Sequence, residues 1–171
     1  MRANLKKIKL VVLDVDGVLT DWKIVFDSAG RELKFFNVMD GFAMAQCRKE
    51  GLKVAILSAR SAGAVTKRAK DLKVDRIYQN AYPKLAKFDE LLKEFKLKDE
   101  NVCFVGDDFP DLAVLSRVGF AVAVANAAEE VKSAADYVTK KHGGNGAVRE
   151  VIELILKAQG CWKNVVARQI S

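Results

Sequence analysis

Apolar residues along this chain fall into two patterns. Short runs rich in Val, Leu and Ile recur at residues 10–13, 52–57, 74–79, 101–105, 121–124 and 137–139. Runs of that length predict buried strands. Between them apolar positions recur every three or four residues. Leu85, Phe88, Leu91, Leu92 and Phe95 mark one buried helix face over residues 84–95, with Pro83 suited to the first turn. Further helices are expected at about 40–50, 62–72, 112–118, 127–134 and 147–159, with Asp40 and Ser61 as N-caps and Gly51 as a stop. Two β-prone arms, 22–27 and 31–36, flank Ser28-Ala29-Gly30 and predict a hairpin. Strands alternating with helices give an α/β fold, a parallel sheet with right-handed crossovers and a helical layer on each face. No repeat or linker interrupts residues 1–171, so a single domain is expected. Residues 160–171 form a tail without a clear period.

Composition narrows the partners. Half of the 171 residues are hydrophobic and 30% are charged, an ordinary globular balance. No apolar run approaches the roughly 18 residues of a membrane span. The basic start, through Lys9, runs into a strand ending in acids and is not read as a signal peptide. Cys47, Cys103 and Cys161 are few and widely spaced, which suits a reducing cytoplasm and offers no metal-ligand spacing. The net charge of +7 raises nucleic acid as a partner. The lysines, however, are interleaved with acids on amphipathic helices, and no basic-aromatic stripe accompanies them. They read as a solvated surface whose field steers an anionic metabolite. The lone His142 reads as a solvated loop residue.

The chemistry begins at Asp14 and Asp16, which end the first strand before Gly17. Extended backbone sends both side chains to one side, and two convergent carboxylates invite a hard cation such as Mg²⁺. Other strands also end in polar residues: Ser58 and Arg60, Asn80 with Lys84 beyond it, and Asp107, Asp108 and Asp111. In a parallel sheet those ends share one edge, where ligands bind. The set supports phosphoryl transfer. Asp14 would be the nucleophile and Asp16 the general acid/base. Asp107 would complete the metal site, and Asp108 or Asp111 would orient its waters. Ser58 and Lys84 would hold the phosphate.

Asp-Val-Asp-Gly-Val-Leu-Thr, Ser58, Lys84 and Gly-Asp-Asp-Phe-Pro-Asp resemble the four motifs of the haloacid dehalogenase superfamily. That resemblance implies a three-layer Rossmann-like fold and Mg²⁺ held by Asp14, the backbone carbonyl of Asp16 and Asp107. The intact Asp16 points to a phosphatase. The chain is too short between its first two motifs for a cap domain. Its hairpin, Phe36-Asn37-Val38-Met39-Asp40-Gly41, Ser58-Ala59-Arg60 and the Gly143–Glu150 stretch are similar to the capless 3-deoxy-D-manno-octulosonate 8-phosphate phosphatases. The similarity covers about residues 8–160. It implies a lipopolysaccharide-precursor enzyme, a phosphorylated sugar acid as substrate, Asn37, Asp40, Arg60 and Asn80 near it, and a homotetramer. In that tetramer hairpins would pack centrally, and the tail, with Trp162 and Arg168, would close a neighbour's site. The chain departs from the family pattern at Met39, where many members have Arg, and at Ala59 and Trp22, where Gly is usual. Loss of the arginine leaves Arg60 as the partner for a substrate carboxylate. Alternatives of other kinds are a sialic-acid-type 9-phosphate or broad-specificity sugar phosphatase, and a non-catalytic oligomerisation module.

Overall fold

Six parallel strands form the centre of the molecule. The computed structural model describes residues 4–170; residues 1–3 of the basic start and residue 171 of the tail lie outside the described residues. In chain order the elements are β1 (Leu10–Leu13), β2 (Val25–Phe26), β3 (Glu32–Leu33), α1 (Val38–Lys49), β4 (Lys53–Leu57), α2 (Gly63–Asp71), β5 (Arg76–Tyr78), α3 (Lys84–Phe95), β6 (Val102–Gly106), α4 (Leu112–Leu115), β7 (Phe120–Ala123), α5 (Glu129–Ala134), β8 (Tyr137–Val138), α6 (Ala147–Ala158) and α7 (Trp162–Ala167). The sheet order is β5-β4-β1-β6-β7-β8, with every pairing parallel. The chain builds outward from β1 to β5, then crosses back to start the other half at β6. That reversal beside β1 opens a crevice at the strands' carboxyl ends.

Register makes those ends level. Leu13 pairs with Ile56 on one side and Val105 on the other, so Asp14, Ser58 and Asp107 emerge within about one residue of the same height. β1, β6 and β7 are buried along their whole length. This is what an uninterrupted apolar run between two helical layers requires. On one face α1 packs against α6, whose Val148, Val151, Ile152, Ile155 and Leu156 are fully buried at helical spacing.

Several expected boundaries move, each for a local reason. The α1 cap is Asn37, whose side chain accepts from the N–H groups of Met39 (2.8 Å) and Asp40 (3.4 Å). Asp40 is therefore inside the helix rather than at its start. Ser61 does not cap α2, which begins at Gly63 after Ala62. Instead the Gln79 side chain arrives from beyond β5, accepting from Ala62 N–H (2.8 Å) and donating to Thr66 Oγ1 (2.8 Å). The hairpin pairs only Val25 with Leu33 and Phe26 with Glu32, less than the arms expected. The tail is not patternless: α7 buries Val165, and Arg168 pairs with Glu50 (2.5 Å) and donates to Gln46 (3.2 Å). Trp162 lies under the cations of Arg149 and Lys157. Both residues expected to reach a neighbour are thus engaged within their own chain.

Candidate active site

The site starts where β1 stops. Asp14 N–H still donates to Val105 O (3.1 Å), which carries the extended backbone one residue past the strand. The chain then turns, with Leu19 and Thr20 N–H both donating to Val15 O (2.9 and 3.1 Å). Gly17 makes this turn at φ +92°, and a Cβ there would collide with the Trp22 indole and the Asp107 carboxylate. Gly143 presses against the same turn, since a Cβ on it would meet the Gly17 carbonyl. The glycine cluster at 143–146 therefore closes on the first motif, with Gly144 N–H donating to Val18 O (2.9 Å).

Around Asp14 the charges form a chain. Lys84, in the first turn of α3 with its side chain 2% exposed, pairs with Asp14 (2.8 Å) and with Asp111 Oδ1 (2.6 Å). The other Asp111 oxygen accepts from the backbone N–H of Asp107 (2.9 Å) and Asp108 (3.4 Å). Asp111 thereby ties the lysine to the loop that follows β6. Asp107 receives the Trp22 indole N–H on Oδ2, while its Oδ1 is buried without a partner. Asp108 is exposed at the rim and accepts from Phe109 N–H (2.8 Å). Buried Ser58 ends β4, and its Oγ accepts from Arg60 N–H (3.3 Å). Together with Asp16 and Arg60 these residues line a crevice of about 380 Å³.

Burial, with the charge of Asp111 adding to it, pushes Asp14 up to about 6 against the pull of Lys84. Burial and the charges of Asp14 and Asp111 push Asp107 up to about 9. For Lys84 burial disfavours the ammonium, but Asp14 and Asp111 outweigh it and hold the group above the ordinary lysine value. Carboxylates held so far above their usual range are short of positive charge. Asp14, Asp107 and Asp111 each bring a carboxylate oxygen within 4.8 Å of the others. Asp111 has both oxygens committed, so Asp14 and the unpartnered Asp107 Oδ1 are the atoms left for a cation. A hard all-oxygen site of this kind fits Mg²⁺.

Three expected site residues lie elsewhere. Asp40 is buried and accepts from the N–H groups of Gly146 (3.3 Å) and Arg149 (2.8 Å). Its carboxylate, raised by burial, caps α6 from outside, where Gly146 has no side chain to do so. Asn37 caps α1 and donates to Gly144 O (3.2 Å). Asn80 is exposed at φ +53° and reaches the region only through its backbone N–H, which donates to Arg60 O (3.3 Å). His142 is exposed on its loop. Conversely, Trp22 lines the crevice, and two hairpin charges pair with its Asp16 and Arg60; all three are absent from the set expected on sequence. Lys34, its side chain almost wholly buried, pairs with Asp16 and with Glu32 (2.9 Å). Arg60 pairs with Glu32 (3.3 Å) and lies 3.8 Å from Asp16. Glu32 and Lys34 alternate with the apolar Leu33 and Phe35, a period of two that puts both charges on one side of the strand. That signal is present in the sequence.

A doubly wound sheet whose first strand delivers two acids to a cation-seeking crevice defines a haloacid dehalogenase-like hydrolase, and the family profile of that description matches residues 74–152. The chain is 44% identical over 158 residues to the 3-deoxy-D-manno-octulosonate 8-phosphate phosphatase KdsC of Escherichia coli K12, covering 92% of this chain and 84% of that one. Its fold superimposes on a probable YrbI family phosphatase from Pseudomonas syringae with a TM-score of 0.95 at 44% identity, over 98% and 95% of the two chains. The corresponding phosphatase of Moraxella catarrhalis, solved with magnesium, phosphate and the sugar acid, gives 0.94 at 41% identity over 96% and 94%. The chain belongs to the 3-deoxy-D-manno-octulosonate 8-phosphate phosphatase family, and it is a phosphomonoester hydrolase.

Proposed function

We propose that this chain, working as one capless domain over residues 1–171, hydrolyses 3-deoxy-D-manno-octulosonate 8-phosphate to the free sugar acid and inorganic phosphate. The observation that carries this reading is the buried Asp14–Lys84–Asp111 chain beside the unpartnered oxygen of Asp107. An Asp14 oxygen attacks phosphorus as the bond from phosphorus to the C8 oxygen breaks, and Asp16 gives that oxygen its proton. Asp16 then takes a proton from water, whose oxygen displaces Asp14 from the aspartyl-phosphate. Lys84 orients Asp14 and pairs with the phosphoryl oxygens, and Ser58 donates its hydroxyl to one of them. Asp14, the Asp16 carbonyl and Asp107 would hold Mg²⁺, which would supply positive charge to offset the repulsion between a carboxylate nucleophile and a phosphate. Asp111 fixes the Asp107 loop, and Asp108 orients water at the rim. Arg60, at the mouth of the crevice, takes the substrate carboxylate in a two-point grip once it leaves Glu32.

The test is phosphate release from the 8-phosphate and from neutral sugar phosphates, with Mg²⁺ or with EDTA. Release should need Mg²⁺ and favour the sugar acid. Asp14→Asn should abolish it, by at least about 10⁴-fold, without unfolding the protein. Arg60→Lys should lower kcat/KM for the sugar acid far more than for neutral sugar phosphates. Turnover of Asp14→Asn within tenfold of the parent would overturn the nucleophile assignment.

Assembly belongs to the same proposal. Ile24, Phe26, Leu33 and Phe35 are exposed on the hairpin, an apolar surface that supports self-association into a homotetramer with hairpins at its centre. The free cysteines support a cytoplasmic setting. Among the described residues no helix is long and apolar enough to cross a membrane. Light scattering that gives a monomer would overturn the tetramer.

A further inference from the structure

Trp22 is a large apolar residue in an odd place. It is 49% exposed, so core packing does not explain it. Its backbone sits at φ +71°, in the left-handed region that is costly for side chains other than glycine. The contacts that accompany this conformation belong to the crevice. The indole N–H donates to Asp107 Oδ2, and the ring edge rests in the space left by the missing Cβ of Gly17. The other oxygen of the same carboxylate, Oδ1, is buried and has no partner.

We infer that Trp22 is a positioning residue for Asp107: its indole N–H occupies one carboxylate oxygen and so fixes the other as the oxygen offered to the metal. A carboxylate held by one donor on its outer oxygen cannot rotate freely, and outer partners of this kind tune the affinity of the ligand they hold. Holding one oxygen back also disfavours bidentate binding. That matters for selectivity, because Mg²⁺ demands a small octahedral shell, whereas Ca²⁺ readily takes both oxygens of a carboxylate. Trp22 thus adds to the preference of this carboxylate site for Mg²⁺ over Ca²⁺.

The inference rests on the Mg²⁺ site described above, and calorimetry without substrate tests it. Trp22→Phe keeps an aromatic ring and removes the donor. Mg²⁺ affinity should fall about tenfold, while Ca²⁺ affinity changes less than threefold. Equal losses for both ions would mean a merely structural role, and Mg²⁺ affinity within twofold of the parent would mean no role; either overturns the inference. A second measurement does not depend on that variant folding. The chain has two tryptophans, so Trp162→Phe isolates the Trp22 emission. Its Mg²⁺ titration should shift that emission with the midpoint found by calorimetry. Emission that stays flat while calorimetry records binding overturns the inference, whereas a parent protein that binds no Mg²⁺ overturns the metal site as well.

Discussion

Lys84 is nearly sealed from solvent between Asp14 and Asp111, and a buried ion pair stabilises a fold only while both partners stay. Lys84→Met would leave two buried carboxylates facing each other. At pH 8 this should cost about 3 kcal/mol or more, read from urea unfolding, and should abolish phosphate release. At pH 5 the same variant should recover part of the lost stability, because the carboxylates can then take up protons. An equal loss at both pH values would show that packing around the lysine stem, not its charge, carries the effect. Asp16 depends on its neighbour in another way. Lys34 and Arg60 both approach it, so Lys34→Met should lower kcat for the sugar-acid phosphate by about tenfold to a hundredfold while leaving the Mg²⁺ affinity near that of the parent. Steady-state rates and calorimetry on one preparation separate the two effects.

At the scale of elements, what one helix lacks another supplies. The N-cap of α6 is Gly146, which has no capping side chain, and α1 provides the cap through Asp40. Asp40→Ala should therefore destabilise the protein by about 1–3 kcal/mol while changing kcat by less than tenfold. A variant that kept its stability and lost its turnover would return Asp40 to the substrate side. The same exchange limits how far helix ends are legible in sequence. α3 starts and stops where its apolar spacing does, at Lys84 and Phe95. α2 starts later than Ser61 suggests: its N-cap is Ala62, which has no capping side chain and whose own N–H is taken up by the Gln79 side chain arriving from beyond β5. Short-range caps are visible in a sequence; caps delivered by a distant element are not.

Over the whole molecule, folding gathers more negative charge at one sheet edge than the crevice can solvate. An unfolded Asp releases its proton near pH 4, whereas folded Asp14 keeps it to about 6 and Asp107 to about 9. Between those limits the folded state binds more protons than the unfolded one. Raising the pH therefore destabilises the metal-free protein. In EDTA the Tm should fall by about 5 °C or more from pH 5.5 to pH 9. Mg²⁺ should reverse most of that fall, since binding to the folded state alone adds stability. A Tm that held level in EDTA across this range would show that the acids are neutralised from within the fold.

The chain's own pattern was enough to determine the alternation of strands and helices, the parallel sheet and the convergence of Asp14, Ser58, Lys84 and Asp107 on one edge. Each of these follows from local periodicity and from the rule that parallel strands end on the same side. Tertiary structure alone decided which polar groups meet there. It turned Asp40 into a cap for α6, brought Lys34 of the hairpin onto Asp16, set the Trp22 indole on Asp107 and folded the tail back so that Arg168 meets Gln46. These partners lie far apart along the chain. Which of several equally polar side chains fills a given site depends on distances that exist only once the sheet has formed, and no spacing along the sequence encodes them.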